Sequence, residues 1–301
     1  MKTASTTTSI LLTLTALILA GGNPGWSADS PTSKIENWRQ EHDRDVLGPE
    51  GPFTVVARFT PKPGTSSLGR DQSNNIVLPV EAAPAHVGKI DWPGGDSATL
   101  RLEPGITAVV EGHNITEVAV SRPVMVTIGE MKLRVAIRGG ELRVSVQDAN
   151  ARTRKDAKPP VWFPIDLRYR ITADWVAFPE AKMVRIPDSD GGSREWKSPG
   201  YASFMMDGQA VKLQPVFTPD GKELSFFFRD RTAGHETYGA GRFLETDLPK
   251  DGKVIVDFNE AYNPFCAFNT LFVCPIPPRE NHMAVSIEAG ERNYPHAGET
   301  H

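Results

Sequence analysis

The chain has 301 residues, 39% of them hydrophobic, which is enough for packed cores and too few for a membrane-embedded protein. Its 33 basic and 37 acidic residues leave a formal charge of −4, and this argues against nucleic acid, which needs a basic face to displace counterions. With 26 glycines and 25 prolines the composition favours many turns over long helices.

Lys2 is followed by the uncharged apolar run SILLTLTALILAGG (9–22), the length of a signal peptide, with small residues at Ala20, Gly22 and Ala28 for cleavage. The run is short for a spanning helix, which needs roughly 20 apolar residues. Residues 1–28 are expected to be removed, leaving a periplasmic or secreted protein without a membrane span. No cysteine follows the run, so a lipid anchor is not expected.

One short helix is predicted over 32–48. Ser33 and Glu36 fit a capping box, and Ile35, Trp38, His42 and Val46 recur at helical spacing before Gly48-Pro49. Trp38 is expected to pack this helix onto the body. Everything beyond reads as strand and turn. FTVVARF (53–59) is a strand, and 98–120 and 124–148 alternate apolar with polar residues. They break at Pro104-Gly105, Glu111-Gly112, Gly129-Glu130 and Gly139-Gly140. Strands this short at this spacing predict a β-sandwich over 53–150. The polar segment DANARTRKDAKPP (148–160) reads as a linker. A second, mainly antiparallel β domain follows over 160–295. Its hairpin turns fall at Asp207-Gly208, Asp220-Gly221 and Asp251-Gly252, and MAVSIEAG (283–290) is its last strand. LSFFFRD (224–230) and FMM (204–206) are apolar on both faces and read as core strands. The tail from Glu291 is expected to fray. The fold class is therefore all-β with one short N-terminal helix.

The first β unit resembles the forkhead-associated (FHA) family. Gly69-Arg70, Asn75-Ile76, Leu78 and His86 match its Gly-Arg, Asn-x-Ile-x-Leu and histidine positions, and VVEGHNI (109–115) and PVMVTIGEMKLRV (123–135) match its later turns. That family binds phosphothreonine through the arginine after the first glycine, a serine three residues before the histidine, and an asparagine. Arg70 is kept, but Ala83 replaces the serine and Pro84 the arginine after it. A phosphate dianion would lose charge-assisted hydrogen bonds worth about 1.5–3 kcal/mol each. The resemblance therefore implies the fold and counts against phosphothreonine binding. His86 is read as a structural histidine.

ETYGAGRFLETDLP (236–249), VDFNEAYNPFCAFN (256–269) and CPIPPREN (274–281) resemble the signature of the bacterial domain of unknown function 1684 family, and ENWRQEHD near the N-terminus suits it as well. That resemblance implies no activity.

The motif concentrates the chemistry. Cys266 and Cys274, with seven residues between them, suit a disulfide that would close a small loop and stabilise it by roughly 2–3 kcal/mol. Alternatives are free thiols lining a pocket or, more weakly, a metal pair. The spacing is not that of a zinc site, and neither a metal nor a cofactor is expected. On a strand, Asp257 and Asn259 share one face and sit side by side at its end. With Tyr262, Asn263, Arg279, Glu280 and Asn281, and with His235, Tyr238 and Arg242 from the preceding hairpin, they could line a cleft for a small polar ligand or peptide. The same residues could equally form a buried hydrogen-bond network that fixes the loop. No Gly-x-Ser-x-Gly elbow, phosphate loop or His-Glu-x-x-His motif is present. The expected function is non-catalytic ligand binding in the cell envelope. One alternative is a hydrolase in the same cleft, with Asp257, Glu280 or His235 as acid or base. Another is a structural module that binds a protein partner through sheet edges.

Overall fold

The computed structural model describes residues 30–295, so the expected signal peptide lies outside the described residues. The chain opens with helix α1 (Pro31–Leu47). Its N-cap is Ser30 rather than Ser33: the Ser30 hydroxyl accepts from the Ser33 N–H at 3.1 Å, and Pro31, which has no N–H to satisfy, occupies the first helical position. Ile35, Arg39 and Val46 face inward, and Gly48 ends the helix.

Eleven short strands then build a sandwich. One sheet orders β1 (Val55–Phe59), β11 (Glu141–Asp148), β10 (Met131–Arg138), β9 (Val124–Ile128), β6 (Ala108–Val110) and β7 (His113–Ile115). The other orders β3 (Ile76–Val77), β2 (Gly64–Gly69), β4 (Gly88–Trp92), β5 (Ala98–Leu102) and β8 (Glu117–Val120). The predicted turns hold: β9 and β10 join across Gly129-Glu130, β10 and β11 across Gly139-Gly140, and β6 and β7 across Glu111-Gly112, where Glu111 has φ of 50°. Alternation along β10 and β11 sends Leu133, Val135, Val144 and Val146, all fully buried, into the sandwich core with Leu68, Ile90 and Leu100. The intervening residues, Arg134, Arg143 and Ser145 among them, face the other way.

The positions that the forkhead-associated resemblance would give to phosphothreonine binding make structural contacts instead. Arg70 Nε donates to the Ala83 carbonyl at 3.2 Å, and His86 Nδ1 meets Asn74 at 3.4 Å.

The segment after the sandwich holds a single helical turn, α2 (Arg152–Lys155). Beyond it, one sheet orders β14 (Gln209–Leu213), β13 (Ser193–Met206), β12 (Arg170–Pro187) and β18 (Lys253–Asp257). A second orders β15 (Val216–Phe217), β16 (Glu223–Phe228) and β17 (Arg242–Asp247). Between them lie Phe226, Phe228, Leu244, Val256 and Phe258, each fully or almost fully buried. Leu224 through Phe228 is core, as the apolar run predicts, whereas Met205 is 65% exposed because strict alternation turns it outward.

Two segments depart from the predicted strands. β12 and β13 run on into a long hairpin around Asp188–Gly192, through a stretch with no predicted element. A register shift between Ala177 and Lys182 breaks the period-two pattern that would have revealed it. Conversely, 283–290 is not a strand. Its backbone pairs only at single points, with Met283 N donating to the Arg229 carbonyl at 2.7 Å and Arg231 N to the Val285 carbonyl at 3.0 Å. The carbonyls of Ile287 and Ala289 turn instead to the buried guanidinium of Arg242. The tail does not fray at Glu291, which is fully buried, or at Tyr294.

Candidate functional site

The polar residues of the motif end up in three buried clusters rather than one open cleft. In the first, Arg242 is 1% exposed. It donates to Asp230 Oδ2 at 3.0 Å and to the carbonyls of Ile287 (2.9 Å), Ala289 and Glu291 (3.2 Å). The arginine thus replaces a strand partner for the C-terminal segment. Gly241 precedes it with φ of 105°, and a side chain there would collide with the Phe228 carbonyl at 2.6 Å, so only glycine can set this turn.

The second cluster joins the end of β18 to helix α1. Asp257 Oδ2 accepts from Arg170 at 2.6 Å, and its other oxygen accepts from the Asn259 side chain at 2.9 Å. Asp257 and Asn259 therefore do stand side by side, although Asn259 lies on a 3-10 turn (Phe258–Glu260) and not on the strand. Asn259 also exchanges two bonds with the backbone of Asp166, at 3.0 and 2.9 Å. Its own carbonyl receives Arg39 from α1 at 3.0 and 2.8 Å. The neighbouring Glu260 has its carboxyl pushed up to about 7, first by burial and then by Asp257, against the pull of Arg170 and Arg39. A carboxyl raised in the folded state favours folding while it is protonated, and that contribution is lost as pH rises through about 7. Glu260→Gln is therefore expected to raise stability at pH 8 by about 1–2 kcal/mol, discounted for solvent screening. The gain should vanish below about pH 4.5, as urea melts at both pH values would report.

The third cluster holds the tail. Glu291 accepts from the Asn263 backbone and side chain, both at 2.8 Å, and lies 3.5 Å from His42. Tyr262 donates to Glu245 at 2.9 Å and packs against the rings of His42, Trp38 and Phe243. Burial pushes the Glu245 and Glu291 carboxyls upward. Trp38 thus does anchor the helix, as expected, beside Trp162, whose indole donates to Asp43 at 3.0 Å.

Asn281 is equally enclosed, exchanging bonds with the Gln214 backbone at 2.9 Å and donating to the Phe227 carbonyl at 2.8 Å. His235 and Arg279 are exposed and do not join the clusters. Glu280 lines a separate cavity of about 260 Å³ with Gln214, Pro278 and Arg185. The 235–242 and 257–281 segments do meet, where the Tyr238 hydroxyl donates to the Cys266 carbonyl at 3.4 Å, but their polar groups satisfy one another there.

The expected disulfide is not formed. Cys266 and Cys274 are free thiols held close by other bonds, with the Cys266 N–H donating to Cys274 Sγ at 3.3 Å. The Tyr238 hydroxyl donates to Cys266 Sγ at 3.8 Å, and the interaction of the two thiols holds that of Cys266 below its ordinary value and raises that of Cys274. Among the described residues no group of three or more histidine, cysteine or carboxylate side chains could hold a metal, and no helix is long and apolar enough to cross a membrane.

What the clusters position is the loop 264–273. The bonds of Asn263 to Glu291 fix its start, and bonds between Cys274 and Ser189 at 2.9 and 3.2 Å fix its end, so it reaches across to the sandwich. Asn269 Nδ2 donates to the carbonyls of Pro52 (2.9 Å) and Val55 (2.8 Å), and Arg58 donates to the Leu271 carbonyl at 3.2 Å. Open space remains on both sides. One cavity of about 740 Å³ lies among Phe53, Lys158, Phe268, Leu271 and Tyr294. Others of about 300 and 670 Å³ share Arg58, Arg143, Leu271 and Val273. Leu271 borders all three, so they form one groove between the two units, apolar at one end and basic at the other. The sequence reading missed these residues. Arg58 and Arg143 look like ordinary solvated positions on alternating strands, and the only local hint is the apolar triplet Leu271–Val273 inside a polar motif.

Among known proteins, the family model of a protein of unknown function, DUF1684, matches residues 160–292, the second β unit. The solution structure of an uncharacterized protein from Haloarcula marismortui is 32% identical, over 46% of this chain and 79% of that one, with a TM-score of 0.40. Two FHA domains are more distant. That of FhaA, solved with an intracellular domain, is 16% identical over 29% of this chain and 85% of its own, with a TM-score of 0.22. That of a Chlamydia trachomatis protein is 22% identical over 30% and 83%, with a TM-score of 0.23. None of the curated proteins compared matches this chain. With its signature segment seated across the face of a β-sandwich, the second β unit, residues 160–292, belongs to the DUF1684 family of proteins of unknown function.

Proposed function

We propose that this protein is a non-catalytic binding protein of the cell envelope, and that its ligand lies in the groove around Leu271 rather than among the polar residues of the motif. The observation that carries this reading is the division of labour in the C-terminal segment. Arg242, Asp257, Asn259, Asn263 and Asn281 are buried and bonded to the chain itself, while the loop they brace borders a groove lined from both units. The groove combines aromatic walls with guanidinium groups, which suits a small ligand that has an apolar part and a negative charge. The residues named for hydrolysis are not assembled for it: Asp257 is locked by Arg170, and Glu280 and His235 are exposed in separate places. The apolar run after Lys2 supports the envelope location.

Native mass spectrometry of the chain purified from a bacterial envelope fraction tests the reading. The expected spectrum shows a retained small molecule, lost in Leu271→Trp, which fills the groove from its middle while circular dichroism stays unchanged. A wild-type chain at its bare mass overturns the reading, and so does an adduct that Leu271→Trp retains.

A further inference from the structure

The outward face of the sandwich has a feature that binding in general does not require. On β10 and β11 the residues pointing away from the core include Arg134, Arg138 and Arg143, and Arg58 joins them from β1. Register places Arg58 and Arg134 on either side of Ser145, each directly opposite it. Their backbones are thus about 10 Å apart, two strand spacings, and both side chains stand over the same hydroxyl. Arg143 stands two residues from Ser145 on the same strand face. Leu271 and Val273 close the space above, leaving the cavity of about 300 Å³.

Arg143 is the diagonal neighbour of Arg134 on the adjacent strand, within reach of a long side chain, so the like charges of this face repel one another. The carboxylates here do not balance these arginines. Asp188 is shared by Arg138 and Arg194, and Glu141 and Asp190 both reach Arg143. Among the described residues neither Arg58 nor Arg134 is paired with a carboxylate. Five guanidinium groups thus face three carboxylates, which leaves two positive charges. Arg143 Nη1 is buried without any hydrogen-bond partner among the described residues, in a side chain only 17% exposed. At the far end of the cavity Gln147 has an unpartnered buried oxygen, which a ligand hydroxyl would satisfy.

We propose that Arg58, Arg134, Arg143 and Ser145 form a subsite for a phosphate monoester dianion, the charged end of the ligand in the groove around Leu271. The two charges of such a group neutralise the local excess, and its several oxygens match forked guanidinium donors better than the two of a carboxylate do. This inference rests on the groove reading but is narrower, since it names the chemistry at one end of it. The subsite lies on the sheet face, away from the loop that carries Arg70, so it is not the degenerate phosphothreonine position of the forkhead-associated resemblance.

Calorimetric titration of the mature chain with inorganic phosphate, at constant ionic strength and pH 8, is the test. Saturable binding at one site per chain is expected. Arg134→Ala, which removes an exposed and unpaired side chain, should weaken it by about tenfold to a hundredfold. Arg58→Gln should do the same, and Arg70→Ala should leave it unchanged. Glycerol phosphate should bind at least as well as inorganic phosphate if the ligand is a small phosphorylated molecule. Preference for vesicles bearing phosphatidic acid would assign the same subsite to a lipid headgroup. Absence of saturable binding, or binding that Arg70→Ala removes and Arg134→Ala does not, overturns the subsite. In that case an adduct in native mass spectra that is lost in Leu271→Trp would still support the groove, so the two readings fail separately.

Discussion

Arg242→Met should lower the unfolding free energy by about 3–5 kcal/mol, a large part of the 5–15 kcal/mol typical of a folded domain. The methionine matches the arginine's apolar stem but removes all four of its bonds. Asp230 then keeps a buried charge without its cation, and the carbonyls of Ile287, Ala289 and Glu291 lose their donor. The C-terminal segment has few backbone pairs of its own, so it should detach first and release Glu291 from Asn263. Arg242→Lys should rescue little, because one ammonium cannot span a carboxylate and three carbonyls. Urea titration followed by tryptophan fluorescence measures both. An unchanged midpoint would mean that the guanidinium is free to serve a ligand.

Asn259→Ala should cost about 2–4 kcal/mol by the same measurement. It removes a donor to Asp257 and both bonds to the Asp166 backbone, in a position with no access to water. Asn259→Asp should be worse at pH 7, because it faces the Asp257 carboxylate with a second one, and it should recover part of the loss near pH 4 as one carboxyl protonates. That pH-dependent recovery separates a charge effect from simple loss of packing.

The local rules carried the reading of the fold a long way. Gly129-Glu130, Gly139-Gly140 and Asp207-Gly208 each join the two strands that their turn chemistry implies, since a two-residue hairpin needs positive φ at its first residue, as at Gly129, or at both, as in the other two. The helix was legible from Ile35, Trp38, His42 and Val46, although its cap was misplaced because Ser30 and Ser33 are both chemically able to serve. The strand expected at 283–290 failed for a different reason. Its alternation is real, with Met283, Val285, Ile287 and Ala289 buried, but the partner of its carbonyls is a side chain more than 40 positions away. Nothing local distinguishes those two kinds of pairing.

The candidate site divides along the same line. Asp257 and Asn259 could be placed together because they are two residues apart, and the alternative of a self-satisfied network was visible in the clustering of amides with carboxylates. The disulfide was inferred from compartment and spacing, and the structure holds both sulfurs by hydrogen bonds instead. The arginine groove was out of reach. Arg58, Arg134 and Arg143 sit at positions where alternation predicts solvent; Arg134 is indeed exposed, and the loop at Leu271, more than 120 residues later, partly covers the other two.

The central claim is that the signature residues brace the chain rather than meet a ligand, and backbone hydrogen exchange resolved by residue tests it directly. The amides of Asp166, Gln214 and Asn263 are bonded to the side chains of Asn259, Asn281 and Glu291 and belong to no strand ladder. They should exchange as slowly as the amides of β16 at the centre of the core. Exchange of all three as fast as the turn at Asp207-Gly208 would show those side chains unbound from the backbone, and would contradict the account.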